Sequence, residues 1–425
     1  MTQDQNVSGC PVTGKESKYE ILQVSQVISS YDDISSALRS SSLVTRLHDG
    51  SQQFRGGTLR STDGPVHKRR RKAMGVLFRG DGDRWFRDNV LTPTIEQNLV
   101  SVLNNVSADG YARTDMVGFV RRAFFQLAAG VIGLQHVNDL EYAENLRQFC
   151  EPINIAMSSS FREGDRDAMM DAGLEAKEQF RTSYFEPALA AHEELVAAVE
   201  RGAADETSLP HDLLTIIARG DDPALSDDHG LALRESITDL INAGTFSSSF
   251  TLLHILAESL KWFDEHPESA HLREDDEFVG RLVREGLRLH PVVPMLYRQA
   301  TADITLPSGK EIHEGEFVGI DVRPGNRDVE KFGPDAEEFN PRRTVGSDAY
   351  DYGLTFGTGR HMCFGLPLIL GSTGADGSHA QLLKAFLAAG IEYDPDDPPV
   401  KTAGTGPLSL WDRFPVRFAT PALLK

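Results

Sequence analysis

The run Phe356-Gly357-Thr358-Gly359-Arg360-His361-Met362-Cys363-Phe364-Gly365 constrains this chain more than any other segment. Gly357 and Gly359 permit backbone angles and close approaches that side chains forbid, so a tight loop can lie flat against a planar ligand. Cys363 stands where that loop hands over to an apolar, helix-prone stretch, Leu366 and Leu368 to Leu370. Amide N–H groups and a helix N-terminus would stabilise its thiolate and tune electron donation. Most isolated cysteines are merely small buried hydrophobes. The register of the residues around this one argues for chemistry.

Around that loop, helical periodicity dominates. From Ile237 the apolar residues fall at Leu240, Ile241, Gly244, Leu252, Ile255 and Leu256, which predicts a long helix running towards His266-Pro267. Asp212 to Ile217 opens another helix, and Leu127 to Leu134 sits in a third, largely buried one. Strand signals cluster later. Ala302 to Leu306, a Ser308-Gly309 turn and Phe317 to Val322 predict a hairpin, and Pro415 to Phe418 a closing strand. The fold class expected is mainly α with small β-sheets. Neither a repeat nor a low-complexity linker divides the chain, so residues 1–18 are expected as a flexible polar tail and residues 19–425 as one domain.

Composition narrows the function. Among 425 residues, 40% are hydrophobic and 25% charged, which is ordinary for a globular chain. A formal net charge of −20 favours solubility and argues against non-specific nucleic-acid binding. Cys10, Cys150 and Cys363 are too few and scattered for a disulfide framework or a structural zinc site, which suits a reducing compartment. The longest apolar stretch, Phe124 to Leu134, is too short for the roughly 20 residues a membrane helix needs. The first residues carry no secretory pattern. A cytoplasmic protein, with neither membrane nor nucleic acid as a partner, is the expectation.

The decapeptide resembles the haem-ligand signature of the cytochromes P450: Phe, two residues, Gly, any residue, His or Arg, any residue, Cys, any residue, Gly. Every fixed position is matched. Glu285-Gly286-Leu287-Arg288 reproduces the family's Glu-x-x-Arg pair; three apart on a helix, the two side chains share a face. The resemblance implies that this pair buttresses the haem-side core with a later arginine, for which Arg342 stands in place. It also implies that Cys363 ligates the iron of a haem b (iron protoporphyrin IX), in a loop that includes Phe356, Gly357 and Gly365. A thiolate opposite bound oxygen favours O–O cleavage. His67 and Arg71, four apart, match the residues with which bacterial members grip a haem propionate. Arg298 fits the arginine approaching the other propionate, and His361 joins them. The likeness runs from about residue 60 to the end and implies a single triangular domain. The basic run Lys68-Arg69-Arg70-Arg71-Lys72 reads either as a solvated helix face or as a patch that steers an acidic iron–sulfur donor.

Two departures stand out. Members that activate oxygen usually read Ala/Gly-Gly-x-Asp/Glu-Thr in the long helix, whereas this chain has Ala243-Gly244-Thr245-Phe246-Ser247. Ala243 and Gly244 keep the close approach and Ser247 keeps a hydroxyl, but Phe246 cannot relay a proton. This similarity extends to bacterial members that couple or dimerise tryptophan-containing cyclic dipeptides (diketopiperazines). After the cysteine, the glycines of Gly371-Ser372-Thr373-Gly374-Ala375-Asp376-Gly377-Ser378 are expected to break or bulge a helix the family keeps whole.

The function these readings imply is haem-thiolate oxidation of a hydrophobic or aromatic small molecule in secondary metabolism, using O2 and electrons from a ferredoxin and its reductase. A pocket lined by Val292, Val293, Met295, Leu296, Leu408 and Leu410 would hold it in a monomeric enzyme. Conventional hydroxylation and a peroxide-using or isomerase-type reaction are the alternatives. A non-enzymatic haem sensor has no supporting motif.

Overall fold

The Asp276–Leu289 helix shows how sequence becomes architecture here. Asp275 caps it by accepting from the Phe278 amide at 2.7 Å. Phe278, Val279, Leu282, Val283, Leu287 and Leu289 are buried along one side. That stripe packs against the Ser248–Glu265 helix, whose Leu252, Leu253, Ile255, Leu256 and Leu260 are equally buried. Each fully buried leucine or isoleucine contributes about 1.5–3 kcal/mol of transfer free energy. The Met116–Ile132 helix adds Phe119, Val120, Ala123 and Leu127 to the same core and ends at Gly133, which is left-handed at φ 103°.

This computed structural model describes residues 23–46, 49–159, 162, 164–240, 246–293, 295–402 and 410–419. The expected tail at 1–18, with Cys10, lies outside them. The fold is mainly helical with small sheets. The long helix expected from Ile237 is described as two stretches, His229–Asp239 and Ser248–Glu265, with residues 241–245 between them outside the described set.

The largest sheet has four strands in the order Gln26–Ile28, Phe317–Ile320, Leu296–Ala300 and Leu43–Thr45; the first pair is parallel and the others antiparallel. Here the expected hairpin needs correction. Ile304–Thr305 pairs with Glu311–Ile312, not with the strand beginning at Phe317. The Ser308-Gly309 turn is tight, with the Gly309 amide 2.8 Å from the Leu306 carbonyl, so the chain returns at once. Phe317–Ile320, buried at every position, is left free to fill the centre of the larger sheet. A three-stranded antiparallel sheet places Pro415–Phe418 between Ala112–Asp115 and Ile391–Tyr393. No helix among the described residues is long and apolar enough to cross a membrane.

Candidate active site

Glu285 and Arg288 face the interior, where the Arg288 side chain has no accessible surface. The guanidinium donates twice to the carboxylate, at 2.8 and 2.7 Å, and also to the carbonyls of Asn326 at 2.7 Å and Ala336 at 2.6 Å. Such a fork is geometrically specific as well as strong. Asn326 relays the order onward: its Nδ2 donates to the Arg288 carbonyl at 2.9 Å, and its Oδ1 accepts from the Leu354 amide at 2.6 Å. Thr355 donates to the Leu287 carbonyl at 2.6 Å. The ion pair is therefore two links from Phe356.

The third member of this cluster is a correction. Arg342 turns away, donating to Ser269 Oγ at 3.1 Å and lying 5.4 Å from the Trp262 ring. Its neighbour Arg343 donates to Glu285 at 3.1 Å and to Asp335 at 2.6 Å. The Asn340 amide also reaches Glu285, at 3.0 Å, which fixes the chain so that position 343 points inward.

The cysteine loop leaves this scaffold with the Gly357 amide on the Leu354 carbonyl at 2.8 Å and the Cys363 amide on the Phe356 carbonyl at 2.8 Å. Gly359 is left-handed, at φ +71°, and a Cβ there would stand 3.0 Å from the Leu38 carbonyl oxygen, so the loop lies directly on the Tyr31–Arg39 helix. Arg360 fastens the same contact by donating to the carbonyls of Ser40 and Leu43 at 2.9 and 3.1 Å. Cys363 is only half-buried although it packs against the main core, and the Leu366–Leu370 helix begins just beyond it. Phe364 is held by Phe78 at 4.9 Å and by the Arg71 guanidinium at 5.4 Å. Burial lowers the Arg71 pKa, and the charge at Cys363 opposes that shift.

Five ionisable groups, His67, His361, Arg71, Arg298 and Asp63, converge beside the loop. His67 is buried, with its ring centroid 4.3 Å from that of His361. Burial, reinforced by His361 and Arg71, pushes His67 down to about 4, so it is neutral near pH 7. Arg298 is buried on its strand and pushed down to about 10 by desolvation. Asp63, which the sequence reading did not single out, accepts from His361 Nε2 at 2.8 Å and from Thr45 Oγ1 at 2.7 Å. Burial opposes its ionisation, yet these hydrogen bonds outweigh it and hold the carboxyl well below the usual range. Neither Arg71 nor Arg298 makes an ion pair with a described residue. Guanidinium groups left in that state are costly. A ligand bringing two carboxylates to this wall would satisfy both, and a haem with its two propionates, its iron facing Cys363, fits that donor set.

Phe246 and Ser247 are π-helical and lead into the Ser248–Glu265 helix. Phe246 is half-buried, packs edge-on to Phe250 at 5.3 Å and borders the same core as Cys363. Thr251 Oγ1 donates to the Ser247 carbonyl at 2.8 Å. Ala243, Gly244 and Leu408 lie outside the described residues. Val292 is buried, Met295, Leu296 and Leu410 are half-buried, and Val293 is exposed.

A protein-family model described as Cytochrome P450 matches residues 22–368. Cytochrome P450 71A23 of Arabidopsis thaliana is 30% identical over 220 residues, which are 46% of this chain and 44% of that protein. The chain thus spans less than half the length of this curated relative. Among solved structures, P450BioI in complex with an acyl carrier protein carrying hexadec-9Z-enoic acid superposes with a TM-score of 0.66 at 20% identity, covering 92% of both chains. CYP109E1 from Bacillus megaterium in complex with corticosterone gives a TM-score of 0.66 at 16% identity, covering 93% of this chain and 92% of that one. At such identities these structures speak for the fold alone.

Proposed function

The chain belongs to the cytochrome P450 family, and from that premise we propose that it is a haem-thiolate oxidoreductase acting on a hydrophobic or aromatic small molecule. Haem b, held with its iron against Cys363, would supply the oxygen and electron chemistry. The protein's part is to keep the Cys363 sulfur in place through the Phe356 and Gly359 contacts, and to anchor the propionates with Arg71, Arg298, His67 and His361. The observation that carries this reading is the pair of guanidinium groups without carboxylate partners beside a cysteine loop braced by the Glu285–Arg288 pair. Ferredoxin and its reductase are the proposed electron source.

Phe246 shapes the rest of the proposal. It offers no titratable atom where the family usually places an acid, so proton delivery falls to Ser247 and to the substrate itself. That favours a substrate whose own N–H or activated C–H gives up hydrogen, and oxidative coupling of tryptophan-containing diketopiperazines in secondary metabolism is the proposed reaction. The same absence supports a peroxide-using reaction as the second reading, since peroxide brings its own protons.

The reduced carbonyl adduct of the purified protein tests the ligand. A red-shifted Soret band that disappears in Cys363→Ala is expected, and an unchanged spectrum in the variant refutes the assignment. Turnover with a ferredoxin system, set beside turnover with peroxide alone, separates the two reactions. A spin-state screen including aromatic cyclic dipeptides tests the substrate class, and silence towards all of them counts against coupling.

A further inference from the structure

Asp63 stands at the N-cap of the Gly64–Met74 helix, where an aspartate ordinarily accepts from the first amides, yet its carboxylate bonds none of them. Both oxygens are turned to other segments. Oδ2 accepts from the Thr45 amide at 3.0 Å and from the Thr45 hydroxyl at 2.7 Å. Oδ1 accepts from His361 Nε2 at 2.8 Å and lies 3.5 Å from Arg360 Nε. A capping bond stabilises a helix by about 1 kcal/mol, so forgoing it points to a task elsewhere.

The segments joined in this way are those that carry the propionate wall. The helix that Asp63 opens bears His67 and Arg71. Thr45 is the cross-strand partner of Arg298, so its place in the sheet fixes where that guanidinium leaves its strand. Arg360 and His361 belong to the cysteine loop, just ahead of Cys363. One half-buried carboxylate therefore meets helix, sheet and loop at a single point. With Nε2 engaged by Asp63, His361 has only Nδ1 left for a ligand. Charge points the same way. Asp63 and Arg360 act on both Arg298 and His67 with opposite sign. Two propionates would take up Arg71 and Arg298; Arg360 is then a third guanidinium, and Asp63 is the anion beside it.

We propose that Asp63 is the positioning residue of the haem site: it locks the cysteine loop to the helix of Arg71 and the strand of Arg298, so that the propionate anchors and the Cys363 sulfur keep one register. This rests on the haem-thiolate reading. It goes further by assigning the alignment of the wall to a carboxylate, where the propionates themselves call only for cations. Partners that orient the groups touching a metal site matter in this way because small misplacements weaken every bond at once.

Haem-loaded Asp63→Asn, which keeps the shape of the side chain, is compared with the unaltered holoenzyme and with Asp212→Ala. Asp212 caps the Leu213–Ala218 helix and bonds His192 at 2.9 Å, so its loss loosens the fold outside the wall. The readouts are haem transfer to an acceptor protein and the propionate-bending bands of the resonance Raman spectrum. Asp63→Asn is expected to release haem at least about tenfold faster than the unaltered protein and to shift a propionate band. Asp212→Ala is expected to keep the bands in place and to release haem within about twofold of the unaltered rate. Release from Asp63→Asn within about twofold of the unaltered rate, unchanged propionate bands, or equally fast release from Asp212→Ala overturns the assignment. The reduced carbonyl spectrum is recorded for all three proteins. A red-shifted band in the unaltered protein beside such a result removes only this inference, whereas its absence there removes the haem-thiolate reading itself.

Discussion

Replacing Arg288 with alanine would strip the two-bond fork from the buried Glu285 carboxylate, leaving it Arg343 and the Asn340 amide. Breaking a buried pair of this kind costs about 3–5 kcal/mol. Because Arg288 also holds the carbonyls of Asn326 and Ala336, chemical denaturation of Arg288→Ala should show at least that loss. A loss below about 1 kcal/mol would mean the cluster is not structural. Arg298 calls for the opposite expectation. Its guanidinium has no anionic partner among the described residues, so Arg298→Leu should leave the haem-free protein at least as stable and weaken haem retention about tenfold, read by haem transfer to an acceptor protein. Equal retention would remove it from the propionate wall. The Glu285–Arg288 pair was legible from spacing alone, since residues three apart share a helix face. Which later arginine joins them was not. Adjacent arginines look alike in sequence, and the choice of 343 over 342 depends on the Asn340 amide docking on Glu285 across the fold.

At the scale of elements, the glycine-rich interruption after Cys363 is a built loop. Asp376 accepts from the Thr373 amide and hydroxyl, both at 2.8 Å, from Ser372 at 2.7 Å and from Arg87 at 2.6 Å. Gly371 is left-handed at φ +71°, and a Cβ there would collide with the Asp376 carboxylate at 2.1 Å. Arg284 reaches over to the Gly374 carbonyl at 3.2 Å, tying the loop to the Asp276–Leu289 helix. Asp376→Ala is expected to cost about 1–2 kcal/mol, with earlier proteolysis in this loop than elsewhere. Cleavage at unchanged rate would show that the glycines alone set its shape. The sequence reading found the break, because three glycines cannot sustain a helix. It could not find the order, which comes from Arg87 and Arg284, far away along the chain. The misassigned hairpin has a similar cause: alternation marks Phe317–Ile320 as a strand but carries no information on its partners.

Across the whole molecule, acid sensitivity should trace in part to His379. It is fully buried beside Phe124, its Nε2 has no hydrogen-bond partner, and burial pushes it down to about 3. The unfolded chain takes up that proton near pH 6.5 and the native one does not, so the native state keeps its full margin above that pH. As pH falls towards 3 the margin shrinks by up to about 1.4 kcal/mol per unit for this group. His379→Leu should flatten the fall in Tm between about pH 6 and about pH 4, and an unchanged slope would assign the sensitivity elsewhere. The pairing of Gln26–Ile28 with Phe317–Ile320, and of Ala112–Asp115 with Pro415–Phe418, has a consequence for biosynthesis. Both sheets join partners separated by about 300 residues, so neither can close while the ribosome still shields the distal strand. The nascent polypeptide therefore carries the Gln26–Ile28 and Ala112–Asp115 edges without their partners until the strands about 300 residues later have emerged.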